Sequence, residues 1–210
     1  MIKGIVFDMD GVLIEAKDWH YDALNKALKL FGFEISRFDH LTTYDGLPTR
    51  RKLEMLSIEH GLPPELHSFI NEMKQVYTME VVHTQCKPRF VHEYALSKLK
   101  TMGYRLGLAS NSIKSTIDLM MQKSNLAQYL DVQISAEDVS NGKPDPEIFL
   151  KAMERLSLKS SECLIVEDNE NGIMAARASG AHVLMVKDVE NVNIENILNM
   201  IRKLNVEASE

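Results

Sequence analysis

One feature constrains this chain above all others: short apolar runs alternate with amphipathic stretches. The runs lie at 2–7, 105–109, 132–135, 163–166 and 182–186, and the later ones are separated by stretches at 90–102, 113–123, 146–156 and 172–179 whose apolar residues repeat at helical spacing. Continuous or period-two apolar character marks a strand, and a period near 3.6 marks a helix. Strand then helix, repeated, predicts an α/β class chain: a Rossmann-like parallel sheet sandwiched by helices.

Between about residues 16 and 85 this rhythm breaks. "WHYDALNKALKLFG", "LPTRRKLEMLSIEHG" and "PPELHSFINEMKQVYTMEVV" carry helical spacing and no convincing strand, so a small all-α cap domain is expected to be inserted after the first strand. Gly32, Gly46 and Gly61 fall where helices stop or loops turn, and Pro63 and Pro64 suit the start of the third helix. The predicted division is an α/β core of 1–15 and 86–210 and a helical cap of 16–85. The closing "NVEASE" is polar and expected to fray.

The 210 residues are 45% hydrophobic and 26% charged, enough for one sizeable core or two smaller ones. The formal net charge of −6 argues against nucleic acid or an anionic membrane as partner, since both require excess Lys and Arg. A small soluble partner is expected, and the chain is expected to be cytoplasmic and monomeric, with a homodimer as the alternative. No run approaches about 18 apolar residues, and the apolar opening is broken at Asp8. Cys86 and Cys163 lack CxxC spacing and read as plain thiols, Cys163 within a strand core. The twelve methionines, Met120 and Met121 among them, read as core filling.

The opening strand ends in "FDMDG", with carboxylates at Asp8 and Asp10. Residues i and i+2 of an extended chain point to one side, so both can face a ligand beyond the strand's carboxyl end, where open α/β sheets bind their ligands. Buried carboxylates there need a positive partner. Gly11 allows a tight turn whose following amides can meet an anion. "RLGLASNS" ends a second strand in Ser110 and Asn111, which can donate to phosphate or cap the next helix. "NGKPDPEIF" holds Lys143 in a stiff loop, and "CLIVEDNENG" ends a buried strand in Glu167 and Asp168. A divalent cation shared by the two acidic strand ends would satisfy both.

Together, "DMDGV", "LASNS", "GKPDPEIF" and "VEDNENGI" resemble, in order, the four motifs of the haloacid dehalogenase superfamily of phosphohydrolases. The branch most resembled contains β-phosphoglucomutase and phosphoglycolate phosphatase, which carry a small helical cap between the first two motifs. The resemblance implies that Asp8 is the nucleophile and Asp10 the general acid and base. It implies Mg²⁺ bound by Asp8, the Asp10 main-chain carbonyl, Asp168 and Glu167, a set of hard oxygens. Gly11, Ser110, Asn111 and Lys143 would bind the phosphoryl oxygens, Lys143 also orienting Asp8. In the cap, His20 matches a histidine common in this branch, and Arg50 and Arg51 follow "DGLPT", a cap position where members of the branch contact substrate, so the resemblance implies all three as substrate-binding candidates. The remaining histidines, His40 and His92 among them, show no ligand spacing.

The activity so implied is a Mg²⁺-dependent phosphatase acting on a small phosphorylated metabolite such as a sugar or polyol phosphate. The alternatives are a phosphosugar mutase, which shares all four motifs, and a phosphate-binding protein without catalysis. The chain departs from the branch at three points: Ala16 stands where Ser or Thr is common, Arg89 follows Pro88 in place of Gly, and Asn169 replaces a serine.

Overall fold

The structure, a computed structural model, describes residues 1–207. Strands β1 (Gly4–Phe7), β2 (Arg105–Ala109), β3 (Val132–Ile134), β4 (Cys163–Glu167) and β5 (His182–Met185) form one parallel sheet in the order β3-β2-β1-β4-β5. The centre of the sheet belongs to the most apolar segments. "GIVF" and "CLIVE" are buried along their whole length, whereas edge strand β5 is half-buried and ends on exposed Met185. This is the burial that a parallel sheet covered on both faces requires.

Helices α1 (Lys17–Lys29), α2 (Arg37–Asp39, continued by a π-turn over His40–Tyr44), α3 (Thr49–His60) and α4 (His67–Gln85) precede the second strand. Helices α5 (Phe90–Thr101), α6 (Lys114–Lys123), α7 (Glu147–Arg155), α8 (Glu170–Ala178) and α9 (Ile194–Glu207) follow. The chain divides into two compact units, Met1–Glu15 together with the chain from Lys87 onward, and Ala16–Cys86.

In the sheet unit, Phe149, Ala152 and Met153 of α7 pack with Val6 and Ile165 of the sheet and Ala175 of α8. Residues 148, 149, 152 and 153 follow the helical period, so the apolar stripe visible in the sequence is the buried face. Burial of side chains of this size stabilises by roughly 1.5–3 kcal/mol each. The helical unit has its own core, in which Leu28, Tyr44, Leu53, Leu56 and Ile70 meet. Asn25, buried beneath it, uses its side-chain amide to close both the N–H and the C=O of Ile35, at 2.8 and 2.9 Å. Gly61 ends α3 in the left-handed region at φ 69°, and a one-turn 3₁₀ helix over Pro64–Leu66 leads into α4.

The polar end of the chain differs from the expectation of fraying. Asn205–Glu207 continue α9, and Asn205 Oδ1 accepts the Ile2 N–H at 3.0 Å, tying this helix to the chain start; residues 208–210 lie outside the described residues. Cys86 and Cys163 are buried thiols, and burial pushes Cys163 up to about 12. Met120 and Met121 are fully buried. No helix among the described residues is long and apolar enough to cross a membrane.

Candidate active site

Sheet register brings the motif residues together. Phe7 pairs with Leu108 on one side and with Val166 on the other, so Asp8, Ser110 and Glu167 emerge from adjacent strands at one end of the sheet. The Asp8 N–H still bonds the Val166 carbonyl at 3.0 Å. Its side chain thus leaves a rigid backbone and is itself buried.

Lys143 supplies the positive partner that a buried carboxylate demands. Its Nζ lies 2.5 Å from Asp8 Oδ1 and 2.6 Å from Glu167 Oε1, and all three side chains are buried. The ammonium also sits 4.7 Å from the centre of the Phe149 ring. Burial, then the Glu167 and Asp10 carboxylates, raise the Asp8 pKa well above the usual range, against the pull of Lys143. Burial opposes the Lys143 ammonium, but Asp8 and Glu167 together outweigh it and hold its pKa above the ordinary lysine value. Burial works against both charges, and beyond it the Asp8, Glu167 and Asp10 carboxylates set a surplus of negative charge around the Lys143 ammonium.

That surplus is what a cation site needs. Ligand oxygens of Asp8, Glu167 and Asp168 lie within 4.8 Å of one another. All are hard donors suited to a divalent ion such as magnesium, so the residues fit the cation implied by the sequence. Glu167 is the most heavily engaged: Oε1 meets Lys143, and Oε2 accepts the N–H groups of Asp168 and Asn169 at 2.8 and 3.0 Å. It therefore anchors Lys143 and the entry to α8. Asn169 caps that helix by accepting the Asn171 N–H at 3.0 Å, the task a serine performs at such a position, which accounts for the departure noted there.

Two expectations are changed by the local hydrogen bonding. Gly11 adopts φ 92°, as a tight turn requires, but its N–H donates to Ile14 O at 2.7 Å. The next three amides donate to Met9 O. They close the turn on itself and do not face a phosphate, so Gly11 shapes the loop that carries Asp10. Asn111 likewise directs its side chain to the Lys143 peptide, with Oδ1 accepting the N–H at 3.0 Å and Nδ2 donating to the carbonyl at 3.3 Å. Gly142 makes this approach possible, because a Cβ there would lie 2.6 Å from Asn111 Oδ1. The Lys143–Pro144 peptide is cis.

Ser110 is buried, and its Oγ accepts the Ser112 N–H at 3.1 Å. Neither Ser110 nor Asn111 caps α6, whose first amide, that of Lys114, is taken by Glu137 Oε2 at 2.6 Å. Asp10 is half-buried beside the same loop.

The remaining candidates lie in the helical unit. His20 Nδ1 is 3.2 Å from Nζ of Lys74, a buried lysine that the sequence reading passed over. Its signal was present: residues 70, 74, 78 and 82 form the buried stripe of α4, and a lysine interrupts it. Arg50 and Arg51 lie on the exposed face of α3 and share Glu54, at 3.1 and 3.4 Å.

Comparison with known proteins gives the family and the fold. The family model for haloacid dehalogenase-like hydrolases matches residues 5–186. A phosphorylated carbohydrates phosphatase of Thermotoga maritima is 28% identical over 182 residues, 85% of this chain and 82% of that protein. A pyrophosphatase of Bacillus cereus is 28% identical over 197 residues, 88% of this chain and 83% of the relative. Among solved structures, β-phosphoglucomutase from Clostridium difficile superposes with a TM-score of 0.85 at 22% identity, each chain covered in full.

Proposed function

Since the chain belongs to the haloacid dehalogenase-like hydrolase family, we propose that it is a magnesium-dependent phosphatase of small phosphorylated metabolites, with phosphorylated carbohydrates as the favoured class. The observation that carries this reading is the buried Asp8–Lys143–Glu167 array at the sheet's carboxyl end, with Asp10 two residues along the chain and Asp168 completing the acidic cluster. The names of the Thermotoga and Bacillus relatives support a phosphate ester or anhydride as substrate.

Asp8 is the nucleophile. Lys143 holds one of its oxygens and so fixes the direction of the carboxylate. An Asp8 oxygen forms a bond to phosphorus as the ester P–O bond breaks, and the departing alkoxide takes a proton from the Asp10 carboxyl. Water then attacks the aspartyl-phosphate, Asp10 takes the proton that water loses, and phosphate departs with Asp8 restored. Lys143 and Ser110 would meet the phosphoryl oxygens as charge shifts. Asp8, the Asp10 carbonyl and Asp168 would hold the magnesium ion, with Glu167 behind them; when bound it offsets the repulsion between carboxylate and phosphate. His20, with Lys74 beside it, and Arg50 and Arg51 are the candidates in the helical unit for substrate choice.

The test is phosphate release with Mg²⁺ across sugar, polyol, nucleotide and small-acid phosphates and pyrophosphate, with Asp8→Asn as control. Release from a few esters, lost in the variant, supports the reading. An isomerised sugar phosphate without free phosphate would assign a mutase instead. Wild type and Asp8→Asn alike inactive on every compound would leave a non-catalytic phosphate binder.

A further inference from the structure

We infer that Ser112 is the positioning residue for the proton-transferring carboxyl of Asp10, an inference that rests on the phosphotransfer reading above. Ser112 Oγ lies 3.2 Å from Asp10 Oδ2, within hydrogen-bond reach and across 102 residues of chain. The family resemblance implies roles for Ser110 and Asn111 and none for the serine that follows them.

Two features favour positioning. First, the Ser112 peptide is held at both ends: its N–H bonds Ser110 Oγ at 3.1 Å, and its carbonyl accepts the Ala136 N–H at 3.0 Å. A hydroxyl on a peptide fixed in this way can restrain its partner, whereas one on a mobile loop would follow it. Second, Asp10 leads into a turn whose amides from Gly11 to Ile14 are directed inward to Met9 and Ile14, so the backbone beside Asp10 is fixed and Ser112 can act on its side chain.

The chemical consequence is specific. A carboxyl that must deliver a proton to a departing oxygen loses rate when its orientation is lost, and the loss depends on how much the leaving group needs that proton. An alkoxide leaves poorly without protonation; nitrophenolate leaves readily. Disturbing Ser112 should therefore penalise an alkyl phosphate far more than p-nitrophenyl phosphate in the first, phosphoryl-transfer step.

Single-turnover kinetics with enzyme in excess and Mg²⁺ present, comparing Ser112→Ala, Ser112→Thr and wild type, reads that step. Expected are a fall of about 10- to 100-fold for a sugar or polyol phosphate in Ser112→Ala, a fall below about 3-fold for p-nitrophenyl phosphate, and recovery of most of the alkyl-ester rate in Ser112→Thr. Inhibition by inorganic phosphate should stay within about 2-fold of wild type, because no phosphate contact is removed. Equal losses on both esters with weaker phosphate inhibition would make Ser112 a phosphate ligand and overturn the inference. Unchanged rates on both esters would overturn it as well. Failure of the phosphatase reading looks different: wild type itself then turns over neither ester.

Discussion

A Cβ placed on Gly172 would lie 1.7 Å from Glu167 Oε1 and 2.1 Å from its Cδ. The first turn of α8 therefore reaches the proposed catalytic lysine through one buried carboxylate, since the same Glu167 oxygen holds Lys143 Nζ at 2.6 Å. The absence of a side chain at 172 is a condition for the position of Lys143.

Gly172→Ala tests that linkage. Within a helix, alanine in place of glycine is worth up to about 1 kcal/mol in favour of folding, but here the added carbon displaces a buried, hydrogen-bonded acid. We expect kcat to fall at least about 10-fold and the melting temperature to drop, the steric conflict outweighing helix propensity. A variant of raised stability and wild-type kcat would show that Glu167 can move without consequence.

Lys143→Met removes the ammonium paired with both Asp8 and Glu167 while keeping most of the volume. Two buried carboxylates then face each other without their partner, which costs about 3–5 kcal/mol at neutral pH when one member of a buried ionic set is deleted. Phosphatase activity should be lost. The deficit should shrink as pH falls, because protonating either acid relieves the repulsion. Urea titrations of both proteins at pH 7 and pH 5 check the sign; a deficit independent of pH would mean that packing around Phe149, not charge, is what the lysine provides.

The sequence made the sheet and its acidic strand ends legible because both follow from local pattern: apolar runs such as "CLIVE" are central strands, and motif order places their ends. Hydrogen bonds between distant segments were hidden. That Asn111 would turn to the Lys143 peptide depends on a contact across 32 residues and on the space left by Gly142. Whether the Gly11 amide faced a ligand or Ile14 was decided by how the turn closes, which composition does not encode. Helix α9 carries an apolar period at 194, 197, 201 and 204, whereas the polar "NVEASE" holds no local sign that Asn205 accepts the Ile2 amide, a contact across 203 residues. Lys74 was legible only as a charged residue in the buried stripe of α4.

The helical unit should carry its own pH signature through His40. Burial, then the nearby Lys52 charge, push its pKa down from 6.5 to about 4, with Asp45 at 3.8 Å only partly compensating. The unfolded chain binds the proton first, so stability falls as pH drops from about 6.5 to about 4 and levels off below. A single group with this shift contributes at most on the order of 3 kcal/mol across that window. His40→Gln should flatten this part of the stability profile relative to wild type, as measured by urea unfolding at half-unit pH steps. Parallel profiles would place the acid sensitivity elsewhere.

Metal removal separates the two roles within the acidic cluster. Glu167 has both oxygens engaged by Lys143 and by main-chain N–H groups, and Asp168 is the half-buried acid beside it in the same cluster. Asp168→Asn weakens the hard-oxygen donor set and removes one negative charge from a site with a surplus. The apo protein should lose little stability or even gain some, while the Mg²⁺ concentration for half-maximal activity rises at least about 10-fold. Glu167→Gln should behave in the opposite way, with apo stability dropping because Lys143 loses a charged partner. Chelator should abolish wild-type turnover and excess Mg²⁺ restore it. Thermal melts with chelator, beside Mg²⁺ titrations of activity, distinguish the two variants, and identical behaviour in both measurements would refute the division of labour between these adjacent acids.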